Sequence, residues 1–137
     1  MIKRLLLVMV FGIVTQINAQ EYKMYKELPE LTIDYRTENC GAEPNLISEF
    51  HFIRLTNKTA EAITVSFKIE PYINGNCTTC HNDEYYFTFE IPANSSITSY
   101  CDQLQEKNGN LALVSKYLNR DFGSDLDKFE ITNISIR

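Results

Sequence analysis

Residues 63–70 read Ile63-Thr64-Val65-Ser66-Phe67-Lys68-Ile69-Glu70, and residues 85–91 read Tyr85-Tyr86-Phe87-Thr88-Phe89-Glu90-Ile91. In each run large apolar side chains alternate strictly with polar ones. Side chains of an extended strand point to opposite faces in turn, so this spacing puts one apolar face on a core and one polar face in water. A helix would need its apolar residues three and four apart, and neither run has that spacing.

Working outward from these two runs, the period of two persists. Leu31, Ile33 and Tyr35 alternate with Thr32, Asp34 and Arg36. Residues 50–56 (FHFIRLT) and 111–118 (LALVSKYL) are apolar on both faces, which predicts central strands. A shorter strand is expected from Ser96 to Cys101. The final run, 127–136, changes phase between Phe129/Ile131 and Ile134/Ile136, and a β-bulge near Thr132-Asn133 would return all four to one face.

Turn-forming residues punctuate these runs at Glu43-Pro44-Asn45, Asn57-Lys58, Asn74-Gly75-Asn76, Pro92-Ala93-Asn94, Asn108-Gly109-Asn110 and Phe122-Gly123-Ser124. One helical turn is expected after Cys101, from Asp102 to Lys107. About seven antiparallel strands predict an all-β fold, a single immunoglobulin-like or fibronectin-III-like sandwich. A small barrel or jelly roll is the alternative.

The start of the chain has a different character. Lys3 and Arg4 precede an apolar run from Leu5 to Val14, and Ile17-Asn18-Ala19 offers a small residue for cleavage. This is the layout of a secretory signal peptide, so residues 1–19 are expected to be removed, leaving residues 20–137 as one domain. The apolar run is about half of the roughly 20 residues a membrane-crossing helix needs. Secreted or periplasmic is the expected location. The 137-residue chain carries 13 basic and 18 acidic side chains, a formal net charge of −5, and loss of Lys3 and Arg4 makes the remainder more acidic still. No basic run exists, which argues against nucleic acid and anionic lipid as partners.

The 4 cysteines, Cys40, Cys77, Cys80 and Cys101, all lie beyond the signal. In an exported chain an even number is first a disulfide count. If successive strands run antiparallel, the first, third and fifth end at one pole, and the cysteines follow those three strands. The preferred pairing is Cys77 with Cys80 and Cys40 with Cys101; an interleaved set such as Cys40–Cys77 with Cys80–Cys101 is the alternative.

Cys77-Thr78-Thr79-Cys80-His81 also fits C-x-x-C-H, where two thiols hold a c-type haem and the imidazole ligates its iron. Its place between strands and the lack of a helical pocket disfavour haem, and no other cofactor is expected. The same absence of a helix disfavours a thiol redox site, and an oxidising compartment disfavours zinc on the cysteines and His81. A haem or thiol redox, electron-transfer role at these residues is nevertheless the alternative function.

Cys77, Cys80, His81 and Asp83 together form a possible ligand pole. His51 falls in a core strand and is expected to be structural. Asp83-Glu84 and Asp125/Asp127 lack the spacing of a calcium loop. Asn57-Lys58-Thr59, Asn76-Cys77-Thr78, Asn94-Ser95-Ser96 and Asn133-Ile134-Ser135 match the N-glycosylation pattern. Tyr72, Tyr85, Tyr86, Tyr100 and Tyr117 supply aromatic surface suited to protein or glycan contacts.

The run FIRLTNKTAEAITVSFKIE (52–70), the segment NGNCTTC, the Tyr-Phe-Thr-Phe strand, IPANSSI and the terminal KFEITNISI, with a signal ending Ala19-Gln20, resemble small secreted, functionally uncharacterised β-sandwich proteins of Bacteroidetes-type bacteria. The resemblance implies export and a sandwich fold, and it lends no catalytic residue. The expected function is therefore an exported, disulfide-stabilised binding or accessory module, not an enzyme. Its partner would be a protein or glycan, met on loops at the cysteine-rich pole.

Overall fold

A computed structural model describes residues 21–121 and 123–137; the expected signal peptide lies outside them. The described chain is all-β, with antiparallel sheets. Its strands are β1 (Lys23–Glu27), β2 (Leu31–Glu43), β3 (Leu46–Asn57), β4 (Ile63–Ile73), β5 (Asn76–Cys77), β6 (Tyr86–Ile91), β7 (Ser96–Ile97), β8 (Ala112–Tyr117) and β9 (Leu126–Ile136). Two of them, β1 and β5, fall where no strand was expected.

One sheet runs β1-β2-β3, with β7 and β8 both pairing to β3, and the other is built on β4, which pairs with β5, β6 and β9. Because β7 meets β3 at Leu55–Thr56 and β8 meets it at Ser48–Phe52, the two share one edge of β3 in succession.

The alternating residues behave as their period requires. Ile33, Leu55, Val65, Phe67, Ile69, Phe89 and Ile91 meet in one buried cluster with Phe129 and Ile131. Ile134 and Ile136 pack on the same cluster despite their shifted phase. The cause is a register shift, with Ser66 opposite Ser135 and Lys68 opposite Thr132, and Asn133 at φ 52° takes up the extra residue.

Residues 50–56 are apolar on both faces because both faces are covered. Ile53 and Leu55 join the main cluster, while Phe50 and Phe52 form a second one with Cys40, Cys101, Leu104 and Ala112. The cover on that outer side is the segment from Thr98 to Leu111, which contains the 3-10 turns Cys101–Gln103 and Lys107–Leu111. The turn expected at Asp102–Lys107 is therefore split, and the expected strand at Ser96–Cys101 shrinks to β7. Gly109 allows the segment to fold tightly, since a Cβ there would lie 2.2 Å from the Leu104 carbonyl oxygen.

Residues 111–118 do not form a central strand. Among the described residues β8 pairs only with β3, and Val114 and Leu118 are exposed. The apolar residues on its second face lie beside clefts instead of beneath another layer. Asn74 and Gly75 both take positive φ, 51° and 75°, as the tight hairpin between β4 and β5 requires.

On the opposite side, Tyr25 closes the gap between the sheets. It sits where the register of β1 on β2 slips between Met24 and Lys26. Its ring stacks on Phe129 at 5.6 Å, and its hydroxyl accepts the Ile131 N–H at 2.7 Å.

Candidate functional site

The four cysteines form two disulfides, Cys40–Cys101 and Cys77–Cys80. Cys40 lies near the end of β2, and Cys77 closes β5, the strand that follows β4 in the chain. The two bridges serve different sheets. Cys40–Cys101 fastens the 98–111 segment over the outside of the first sheet, and Cys40 itself is buried.

Cys77–Cys80 pins the loop that completes the edge of β4. That edge pairs with β6 as far as Lys68, and the Ile69 N–H then donates to the Tyr85 carbonyl. The Thr79 hydroxyl donates to the Ile69 carbonyl at 3.1 Å, and the Thr78 N–H to the Pro71 carbonyl at 2.9 Å. Cys77 then pairs with Tyr72 in β5. Backbone groups of a sheet edge that would otherwise lack partners are satisfied in sequence. The C-x-x-C-H segment is thus closed on itself in a loop beside a sheet. His81 and Asp83 are exposed on the same loop.

The sulfurs of Cys77 and Cys80 lie within 4.8 Å of each other and of a Glu70 carboxylate oxygen. Glu70 is paired with the buried Lys68 at 3.6 Å. The Tyr72 hydroxyl donates to Glu130 at 3.4 Å and lies 3.9 Å from the Cys80 sulfur. Its pKa is raised, first by desolvation and then by the Glu130 charge.

A cleft of about 340 Å³ opens between the sheets, along the side where β6 and β8 form their edges. Tyr85, Phe87 and Tyr117 give it aromatic walls, Leu113 and Leu126 an apolar floor, and Thr78 and Asn110 polar rims. Tyr85 stacks on Phe87 at 6.1 Å and holds φ at 60°, a left-handed conformation that is costly for an aromatic residue. Beyond β8, a shallower hollow of about 290 Å³ includes Glu43, Ser48, Phe50, Leu104 and Gln105. Neither hollow is lined by His81, Asp83 or Tyr86.

His51 donates to or accepts from the Thr37 hydroxyl at 3.0 Å and packs edge-on to Tyr35 at 5.3 Å. Burial lowers its pKa below the usual 6.5, the nearby Glu49 charge opposing and Lys23 adding to the effect. Asp127 accepts the Gly75 N–H and so ties the β4–β5 turn. Of the glycosylation-pattern asparagines, Asn57 is buried, and its amide donates to the carbonyls of Glu61, Ile91 and Pro92.

The polar cluster that sequence reading missed sits on the outer face of β2 and β3. Arg36 is only 2% exposed, lies 4.7 Å from the Phe52 ring and 4.8 Å from the Tyr100 ring, and donates to the Ser99 carbonyl. Arg54 is held by both carboxylate oxygens of Asp34 and stacks on Tyr22 at 3.5 Å. Alternation alone assigns Asp34 and Arg36 to solvent; in the fold Tyr22 and Tyr100, from two distant segments, close over Arg36, and Arg54 lies against Asp34.

Compared with models of known protein families, with curated proteins and with solved structures, the chain matches none.

Proposed function

We propose that the chain is an exported binding module whose partner, a protein segment or glycan, seats aromatic or sugar-ring surface in the cleft between β6 and β8. The observation that carries this reading is the cleft's composition. Three aromatic rings stand over an apolar floor, with hydroxyl and amide groups at the rim, in a hollow the size of a small-ligand site. The strained backbone at Tyr85 adds support, because a costly conformation persists where the surrounding structure holds it for a purpose.

An immunoglobulin-like sandwich is the finer description of the fold that we favour. It is supported by β2 and β7 flanking β3 while β6 pairs with β4, although β8 joins β3 instead of the opposite sheet. Export is supported by the residues 1–19 pattern and by the two intrachain disulfides. No helix among the described residues is long and apolar enough to cross a membrane.

The test is a screen of the chain lacking residues 1–19 against immobilised glycans and against a library of displayed peptides, followed by titration of any binder with the Tyr117→Ala and Asn110→Ala variants. A ligand weakened about tenfold or more by either variant, with the fold intact by circular dichroism, is expected. Ligands unaffected by both variants would remove the cleft as the site.

A further inference from the structure

We propose that Cys77, Cys80 and Glu70 form a redox-gated site for a thiophilic divalent cation of the zinc class, closed in the disulfide state and opened by reduction. It goes beyond the binding-module reading and makes no use of the cleft. A dithiol reductant transfers two electrons to the cystine, giving two protein thiols and leaving as its own disulfide. Cation binding then displaces the two thiol protons, because the ligand is the thiolate.

Three observations carry the proposal. The two sulfurs are bonded to each other, and a Glu70 oxygen lies within 4.8 Å of both. Tetrahedral bonds of about 2.3 Å to sulfur and about 2.1 Å to oxygen would place the ligand atoms roughly 3.5–3.8 Å apart, so the sulfurs must separate while the carboxylate closes in only slightly. Side-chain rotation therefore suffices once the sulfurs part.

The second observation is that the ligands are anchored without the bridge. Cys77 is paired with Tyr72 in β5, Thr78 donates to Pro71, and Thr79 donates to Ile69. Glu70 belongs to the central strand of its sheet. None of these hydrogen bonds is made by the bridge itself, so the loop is expected to keep its tether to β4 when the bridge opens.

The third is charge. Two thiolates and one carboxylate around a divalent cation carry one net negative charge, and Lys68, buried 3.6 Å from Glu70, supplies the matching positive one. Three protein ligands leave a fourth position for water, the arrangement of an open rather than a closed zinc site.

The experiment reduces the folded chain with a dithiol, removes the reductant under argon, confirms by alkylation and mass that Cys77 and Cys80 are free while Cys40–Cys101 persists, and titrates with Co²⁺. The expected result is thiolate-to-metal charge-transfer absorption that saturates at one Co²⁺ per chain, is displaced by Zn²⁺ and is absent from the oxidised chain. Cys80→Ser should abolish it, and Glu70→Gln should weaken binding about tenfold or more. The proposal is overturned by a reduced chain that gives no such absorption, by Glu70→Gln binding as tightly as the parent, or by loss of the sheet on reduction of Cys77–Cys80 alone.

Discussion

Cys101 is bonded to Cys40 from outside the first sheet, so the covalent link crosses the face on which Phe50 and Phe52 are buried. The bridge spans 61 residues of sequence, whereas Cys77–Cys80 spans 3. Chain-entropy reasoning makes the long link worth about 4 kcal/mol and the short one about 2 kcal/mol or less. Cys101→Ser should therefore lower unfolding free energy by about 2–5 kcal/mol, and Cys80→Ser by clearly less. Urea unfolding of the two variants checks the order; equal losses would mean the cover over Phe52 holds without its bridge.

Arg36 offers a second test, because its guanidinium is buried between Phe52 and Tyr100 and hydrogen-bonded to Tyr22 and Ser99. Arg36→Ala deletes the packing and leaves a buried carbonyl without that donor, so a loss of about 2–4 kcal/mol is expected. Arg36→Lys should recover little of it, since an ammonium cannot stack flat between two rings. Denaturation midpoints of both variants decide this, and a lysine variant close to the parent would show that charge alone matters at this position.

These two sites mark the limit of what the chain discloses before folding. Alternation in 63–70 and 85–91 sets strand identity and core face because burial of one face is a property of each strand alone. The bulge at Asn133 was legible for the same reason, as a break in period. The cysteine pairing was not legible in the same way: strand succession gathers the thiols at one pole but leaves the interleaved set open, and the structure shows Cys40–Cys101 with Cys77–Cys80. The covering of the outer face by residues 98–111 is a long-range event. It turns the polar position Arg36 into a buried one, and no local period encodes it. The cleft was illegible for a related reason: 111–118 has the composition of a central strand, and only its lack of a second neighbour leaves Val114 and Tyr117 beside open space.

Asn57 stabilises the junction where the chain passes from one sheet to the other. Its amide donates to three carbonyls, and its oxygen accepts from the Thr59 N–H and hydroxyl. Asn57→Ala should cost about 1–3 kcal/mol, because the buried Ile91 carbonyl loses the amide donor and the Glu61 and Pro92 carbonyls are left with only the Thr59 and Ser95 hydroxyls. Asn57→Asp should not rescue the loss, because a carboxylate repels the three acceptors that the amide satisfies. Comparison of the two variants by thermal melting provides the check, and full recovery by aspartate would count against this account.

His51 makes stability depend on pH near neutrality. Burial lowers its folded-state pKa below the unfolded value of about 6.5, so the unfolded chain takes up the proton first as pH falls. The penalty is absent above about pH 6.5, grows as pH drops through the interval down to the folded pKa, and is constant below it. The melting temperature of the parent should fall across that interval more steeply than that of His51→Gln, in which the ionisable ring is gone. Parallel curves for the two proteins would remove His51 as the cause.

Tyr85 separates stability from recognition. A non-glycine residue at φ 60° carries roughly 1–3 kcal/mol of backbone strain, while its ring, 45% exposed, recovers only part of that by stacking on Phe87. Tyr85→Gly removes the strain and also loosens the unfolded chain, an opposing effect of about 0.5–1 kcal/mol. The balance predicts unfolding free energy within about 1 kcal/mol of the parent. Any ligand of the cleft should nevertheless bind about tenfold or more weakly, since the ring forms its wall. Urea unfolding and ligand titration on the same variant read the two quantities separately. A large loss of stability with binding retained would make Tyr85 a packing residue and leave its strained backbone without a functional account.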